Sequence, residues 1–122
     1  MKSKWLKYVF LVILIIYLSI LILFALNPHP EKIIPMDGYD KVAHFAEFFI
    51  LALLLWKTFS LFKIKKLNNY FITFISCIVV AIVSEYVQKF IPSRTSTWLD
   101  FLLDIGGTIF ALIVIYIIKW ES

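Results

Sequence analysis

Four carboxylates and an imidazole stand inside apolar stretches of this chain: Glu47, Glu85, Asp100 and Asp104, with His44 one turn before the first of them. These residue types can hold or move a proton, ligate a divalent cation or orient a neighbouring polar group. An ionised side chain at the centre of a membrane-spanning helix costs about 2.5–3.5 kcal/mol on insertion scales, so such groups face a bundle interior and mark sites. The first expectation is therefore a polar site inside a small helical membrane protein.

Depth follows from helix rise. Glu47 lies six residues beyond Lys41, Asp104 six beyond Trp98 and Glu85 six before Ile91. At about 1.5 Å per residue, each carboxylate is roughly 9 Å below the same boundary. The faces agree. Asp40, His44 and Glu47 recur at i, i+4, i+7, which shares one face of a helix. Ala81, Glu85 and Gln88 share a face of the next, and Asp100, Asp104, Gly107 and Ala111 a face of the last. Gly107-x-x-x-Ala111 is a small-x-x-x-small pair that admits close helix approach. The nearby cations are Arg94, Lys41 and His44. A dry cluster with acids in excess is unfavourable, and a bound cation, a proton network or a water-filled cleft relieves it.

The elements that must carry these groups are four apolar runs. The first goes from about Tyr8 to Leu26 behind Lys2, Lys4 and Lys7. It is too long for a signal-peptide core and reads as an uncleaved signal anchor. Asn27 to Tyr39 holds Pro28, Pro30, Pro35 and Gly38 and reads as a loop. A second helix is expected from Asp40, a candidate N-cap, to about Phe59, then a basic loop from Phe62 to Asn69. A third is expected from Tyr70 to Ile91, stopped by Pro92. After the turn-forming segment 92–97, the fourth runs from Trp98 to Ile118.

The chain has 122 residues, is 62% hydrophobic and has a mean hydropathy of +0.94. Soluble domains are about half apolar, so the excess points to an all-α integral membrane bundle of four transmembrane helices forming one domain. Lys2, Lys4, Lys7, Lys57, Lys63, Lys65, Lys66 and Lys119 fall on one side of four spans, against Lys32, Lys41, Lys89 and Arg94 on the other. The positive-inside rule then puts both termini in the cytoplasm and the acid-rich half outside. The lysines serve topology and exclude nucleic acid as a partner. Cys77 cannot form an internal disulfide and reads as a buried small hydrophobe. Trp5, Trp56, Trp98 and Trp120 read as interfacial anchors.

The polar residues form an ordered string: Asp40-Lys41-x-x-His44-x-x-Glu47, Glu85-x-x-Gln88, Pro92-x-Arg94 and Asp100-x-x-x-Asp104-x-x-Gly107. Over residues 40–107 this resembles the VanZ-like family of small bacterial membrane proteins. The resemblance implies a multi-pass protein of the bacterial cytoplasmic membrane in a cell-envelope context; the family's named member is associated with resistance to the glycopeptide teicoplanin. Family members often carry Asn at the position of Asp104, so this chain adds a charge there.

The residues and the resemblance together lead to an outward-facing pocket for an envelope lipid or lipid-linked precursor. His44, Glu47, Glu85 and Asp104 are the candidate catalytic groups. Glu85 and His44 would transfer protons or act as ligands, while Asp104 and Glu47 orient them. Arg94 would grip an oxyanion in bidentate fashion, with Lys41, Gln88 and Asp100 as further ligand contacts. The same acids and imidazole are of the type that ligates a divalent metal, although their spacing matches no zinc signature. Two other classes compete. One is a membrane enzyme acting on a polyprenyl or phospholipid phosphate, for which Ser84 beside Glu85 is the nearest nucleophile. The other is a non-catalytic assembly protein whose polar cluster fixes helix register. A homo-oligomer is compatible with all three.

Overall fold

The computed structural model describes residues 2–26, 39–88 and 98–118, with side chains placed over 5–23, 42–87 and 101–118. The described residues form four helices: α1 (Lys2–Leu26), α2 (Tyr39–Leu61), α3 (Lys66–Gln88) and α4 (Trp98–Ile118). Each contains an apolar stretch of 18 to 22 residues. At 1.5 Å per residue these are about 27–33 Å long, matching a hydrocarbon core of about 30 Å. Large aliphatic side chains such as Val12, Ile16, Ile20, Ile82 and Ile113 are about half exposed on the outside of the bundle. Water would not tolerate so much contiguous apolar surface; lipid does. The protein is a multi-pass, all-helical membrane protein.

Direction follows from named contacts. Tyr8 meets Phe62 edge-on at 6.3 Å, and the Tyr17 hydroxyl donates to the Glu47 carbonyl at 2.6 Å, so α1 runs antiparallel to α2. A tight turn reverses the chain into α3. Phe49 and Phe110 are 5.5 Å apart and Phe45 and Phe110 5.8 Å, while His44 meets Asp104. Hence α2 and α4 run parallel, as the second and fourth members of an up-down-up-down bundle must. They also share the most extensive helix–helix contact among the described residues.

The buried faces repeat with helical period. On α2 they are His44, Phe48, Leu51, Ala52, Leu55 and Trp56; on α4, Asp104, Gly107, Thr108, Ala111 and Ile115. The α3 stripe is Asn69, Thr73, Cys77 and Ala81, four residues apart throughout. Small side chains dominate α3 and α4, as expected where lipid offers no hydrophobic drive and helices associate through close packing. Cys77 lies in this core, as its apolar surroundings in sequence indicate.

Helix boundaries depart from expectation at two places: α1 already begins at Lys2, ahead of the apolar run from Tyr8, and α3 begins before Tyr70. The stretch Lys66 to Asn69 looks like loop in sequence but is the first turn of α3. Its last side chain, Asn69, is used internally, while Lys66 and Asn68 are exposed. The Asn69 amide donates to the Trp56 carbonyl at 3.1 Å and to Ser60 Oγ at 2.9 Å, and Thr73 Oγ1 donates to Asn69 Oδ1 at 2.8 Å. Asn69 is fully buried. The preceding turn closes α2 with Lys63 N–H bonding the Ser60 carbonyl and Ile64 N–H bonding the Phe59 carbonyl, a Schellman pattern. Lys63 takes the left-handed position at φ 66°, where glycine is usual. Trp56 also departs from expectation. It is buried, not an interfacial anchor, and its ring packs on Tyr70 at a centroid distance of 4.5 Å.

Candidate functional site

The site is built where α2 and α4 come closest. Gly107 makes that approach feasible. A Cβ at this position would stand 2.3 Å from the Phe45 carbonyl oxygen and 3.2 Å from the Phe49 nitrogen, both backbone atoms of α2. Only a residue without a side chain lets the two backbones meet. One turn toward the start of each helix, this contact brings His44 and Asp104 together across sixty residues of sequence. His44 Nδ1 lies 2.8 Å from Asp104 Oδ1. Asp104 is fully buried and His44 nearly so. Thr108 Oγ1 donates to the Asp104 carbonyl one turn earlier at 3.0 Å, which satisfies a buried hydroxyl within α4.

With Asp104 ionised the carboxylate has no proton to give, and His44 Nδ1–H is then the donor to it. That bond fixes the ring orientation. In the neutral imidazole it also fixes the tautomer, leaving the basic lone pair on Nε2. A histidine held in this way by a carboxylate is the usual arrangement for a general base or for a metal ligand supported from behind.

The other sequence-derived candidates distribute as follows. Glu47 is half-buried on α2, one turn from His44, and its carbonyl anchors α1 through Tyr17. Glu85 is half-buried with Oε2 inside the protein. It adds one more four-residue step to the buried Asn69–Ala81 stripe of α3, toward the end of the bundle that holds His44 and Asp104. Among the candidate groups the structure joins His44 directly to Asp104. Among the described residues, no three His, Cys, Asp or Glu side chains form a metal-binding group. Arg94 lies outside the described residues, as do the side chains of Lys41, Gln88 and Asp100.

Sequence reasoning passes over two features that position the site. One is the anchoring of α2 by Tyr17. The other is the Asn69–Thr73–Ser60 network, which ties α3 to the far end of α2. Tyrosine and asparagine in lipid-embedded helices need internal partners, and that need is the available sequence signal.

The charged side chains of the described residues are sorted by end. Lys7, Lys57, Lys63, Lys65 and Lys66 belong to the end that carries the 62–65 turn, whereas Glu47, Glu85 and Asp104 belong to the opposite half. The end holding the histidine–aspartate pair is therefore the acidic one.

A family model described as VanZ/LLP1 matches residues 5–119. The match takes in α1 as well as the 40–107 stretch that carries the polar string. No curated protein and no solved structure matches the chain.

Proposed function

The chain belongs to the VanZ/LLP1 family, and from that premise we propose that it binds or acts on the head group of an envelope lipid or lipid-linked precursor at the acidic end of its bundle. The observation that carries this reading is the buried His44–Asp104 pair at 2.8 Å. A packing device at this depth has no need of an imidazole, whereas a proton acceptor or ligand does. Arg94, six residues before Asp100 on the connection between α3 and α4, supplies the guanidinium that a phosphate or carboxylate head group requires. Glu85 and Glu47 complete the polar lining, and a link to teicoplanin resistance follows the family's named member.

The sidedness proposed with it is that both termini lie in the cytoplasm of a bacterial cell and the polar end opens outward. The lysine sorting supports this. Cysteine variants at Ser3 and Ser96, in a Cys77→Ala background, test it with an impermeant thiol reagent on intact cells. Position 96 should be labelled and position 3 protected; the reverse pattern would refute the orientation.

The functional test uses Glu85→Gln and Arg94→Lys in a deletion strain, scored on envelope stress or teicoplanin sensitivity with membrane abundance in parallel. Glutamine keeps size and hydrogen bonding without the charge; lysine keeps charge but loses the planar fork. Both variants should insert normally and fail to complement. Full complementation by both at normal abundance would leave the assembly role. That role has its own support in the backbone approach at Gly107, which shows the same face serving helix packing. Consumption of a lipid phosphate by the purified protein, lost in His44→Gln, would make the site an enzyme's.

A further inference from the structure

At the end of the bundle opposite His44 and Asp104, α3 and α4 part to form a cleft of about 520 Å³ lined by Lys66, Leu67, Tyr70, Tyr116 and Ile117. Its chemistry is divided. Lys66 brings an exposed ammonium to the rim. Tyr70 brings a hydroxyl that is buried and has no hydrogen-bond partner among the described residues. Leu67 and Ile117 form apolar walls that are about two-thirds exposed, at the surface where the bundle meets lipid. A buried hydroxyl without an acceptor is costly.

We propose that this cleft binds the head group of an anionic phospholipid from the adjoining leaflet. A phosphodiester is the acceptor that a tyrosine hydroxyl and an ammonium jointly fit. The acyl chains of the same molecule would lie along Leu67 and Ile117, which a free phosphate would leave bare. The setting agrees. The described cations Lys7, Lys57, Lys63 and Lys65 surround this end, and the described acids Glu47, Glu85 and Asp104 are in the other half. Basic pockets between transmembrane helices suit anionic head groups for this reason. The Tyr70 ring is held in place by Trp56, itself fixed through its carbonyl to Asn69, so the hydroxyl is presented by a rigid wall. This site is independent of the reading given to the acidic end.

The test is native mass spectrometry of the full chain in detergent, supplemented with phosphatidylglycerol or with phosphatidylcholine of the same acyl chains. The protein should retain phosphatidylglycerol preferentially. Lys66→Gln should lower that retention about fivefold, the weight of one lysine near an anionic lipid surface. Tyr70→Phe keeps the ring on Trp56 and should also lower it, whereas Lys63→Gln removes the same charge outside the cleft and should not. Excess glycerol phosphate should fail to displace the lipid. Equal retention of the two lipids, equal losses in Lys63→Gln and Lys66→Gln, unchanged retention in Tyr70→Phe, or full displacement by glycerol phosphate would each overturn the proposal.

Discussion

Gly107→Ala should destabilise the bundle by about 1–3 kcal/mol, the usual cost of overpacking, while the neighbouring Gly106→Ala should be neutral or slightly stabilising. The two glycines are adjacent and both helical, so intrinsic propensity favours alanine equally at each, by up to about 1 kcal/mol. What differs is the space. At Gly106 a Cβ meets only the Phe45 ring, at 3.7 and 3.8 Å, which is ordinary contact. At Gly107 it meets the α2 backbone at 2.3 Å. Backbone cannot rotate aside, so α4 must retreat from α2 by about 1 Å to restore a normal carbon–oxygen separation. The same movement would stretch the 2.8 Å His44–Asp104 bond beyond hydrogen-bonding distance. Gly107→Ala should therefore lose both fold stability and any activity that depends on the pair. SDS titration of the two variants in mixed micelles measures the first effect and complementation the second. Equal stability of the two alanine variants would show that α2 and α4 do not approach as described.

This contrast also marks what was legible in the sequence. Four spans could be read because each apolar run is long enough to cross a bilayer. The buried stripe of α4 could be read because Asp104, Gly107 and Ala111 recur at helical spacing. Which helix would meet that stripe could not be read. Periodicity orients a face toward the bundle but does not name its partner, and the partner is α2, one helix removed in sequence and parallel. The pairing of His44 with Asp104 has the same origin. Each stands out as an ionisable group in an apolar run, but their bond arises from the close approach at Gly107. Asn69 was hidden for a different reason. An asparagine beside lysines has the composition of a solvated loop, and only a tertiary acceptor, the Trp56 carbonyl, makes it core. Trp56 belongs with it, since distance from a helix end does not distinguish an interfacial anchor from a ring covered by a neighbouring helix.

The second large effect is expected at Asp104, where the choice of replacement separates stability from chemistry. Asp104→Ala strands the His44 Nδ1–H in a fully buried setting. A stranded donor costs about 1–3 kcal/mol. Adding His44→Ala should then cost little more, because the orphan disappears with it. Interhelical hydrogen bonds in membranes are worth about 0.6 kcal/mol on average and at most about 1.7, so the double-mutant cycle should return a coupling in that range. Asp104→Asn is the informative case. Its amide oxygen can still accept from Nδ1–H, so stability should change by less than about 1 kcal/mol, the size of one net hydrogen bond. It cannot supply a negative charge to a histidine that gains a proton, and its NH₂ group can turn toward the ring and favour the wrong tautomer. In a site where His44 takes up a proton against the Asp104 charge, that substitution should reduce activity by orders of magnitude, as it does where a carboxylate orients a catalytic histidine. Because family members often carry Asn here, that dependence would be a feature of this chain and not of the family. In a site where the pair only joins two helices, Asp104→Asn should complement fully. SDS titration for stability and complementation at matched membrane abundance separate these outcomes. Normal stability with full complementation by Asp104→Asn would remove His44 from the chemistry and reduce the pair to a helix contact.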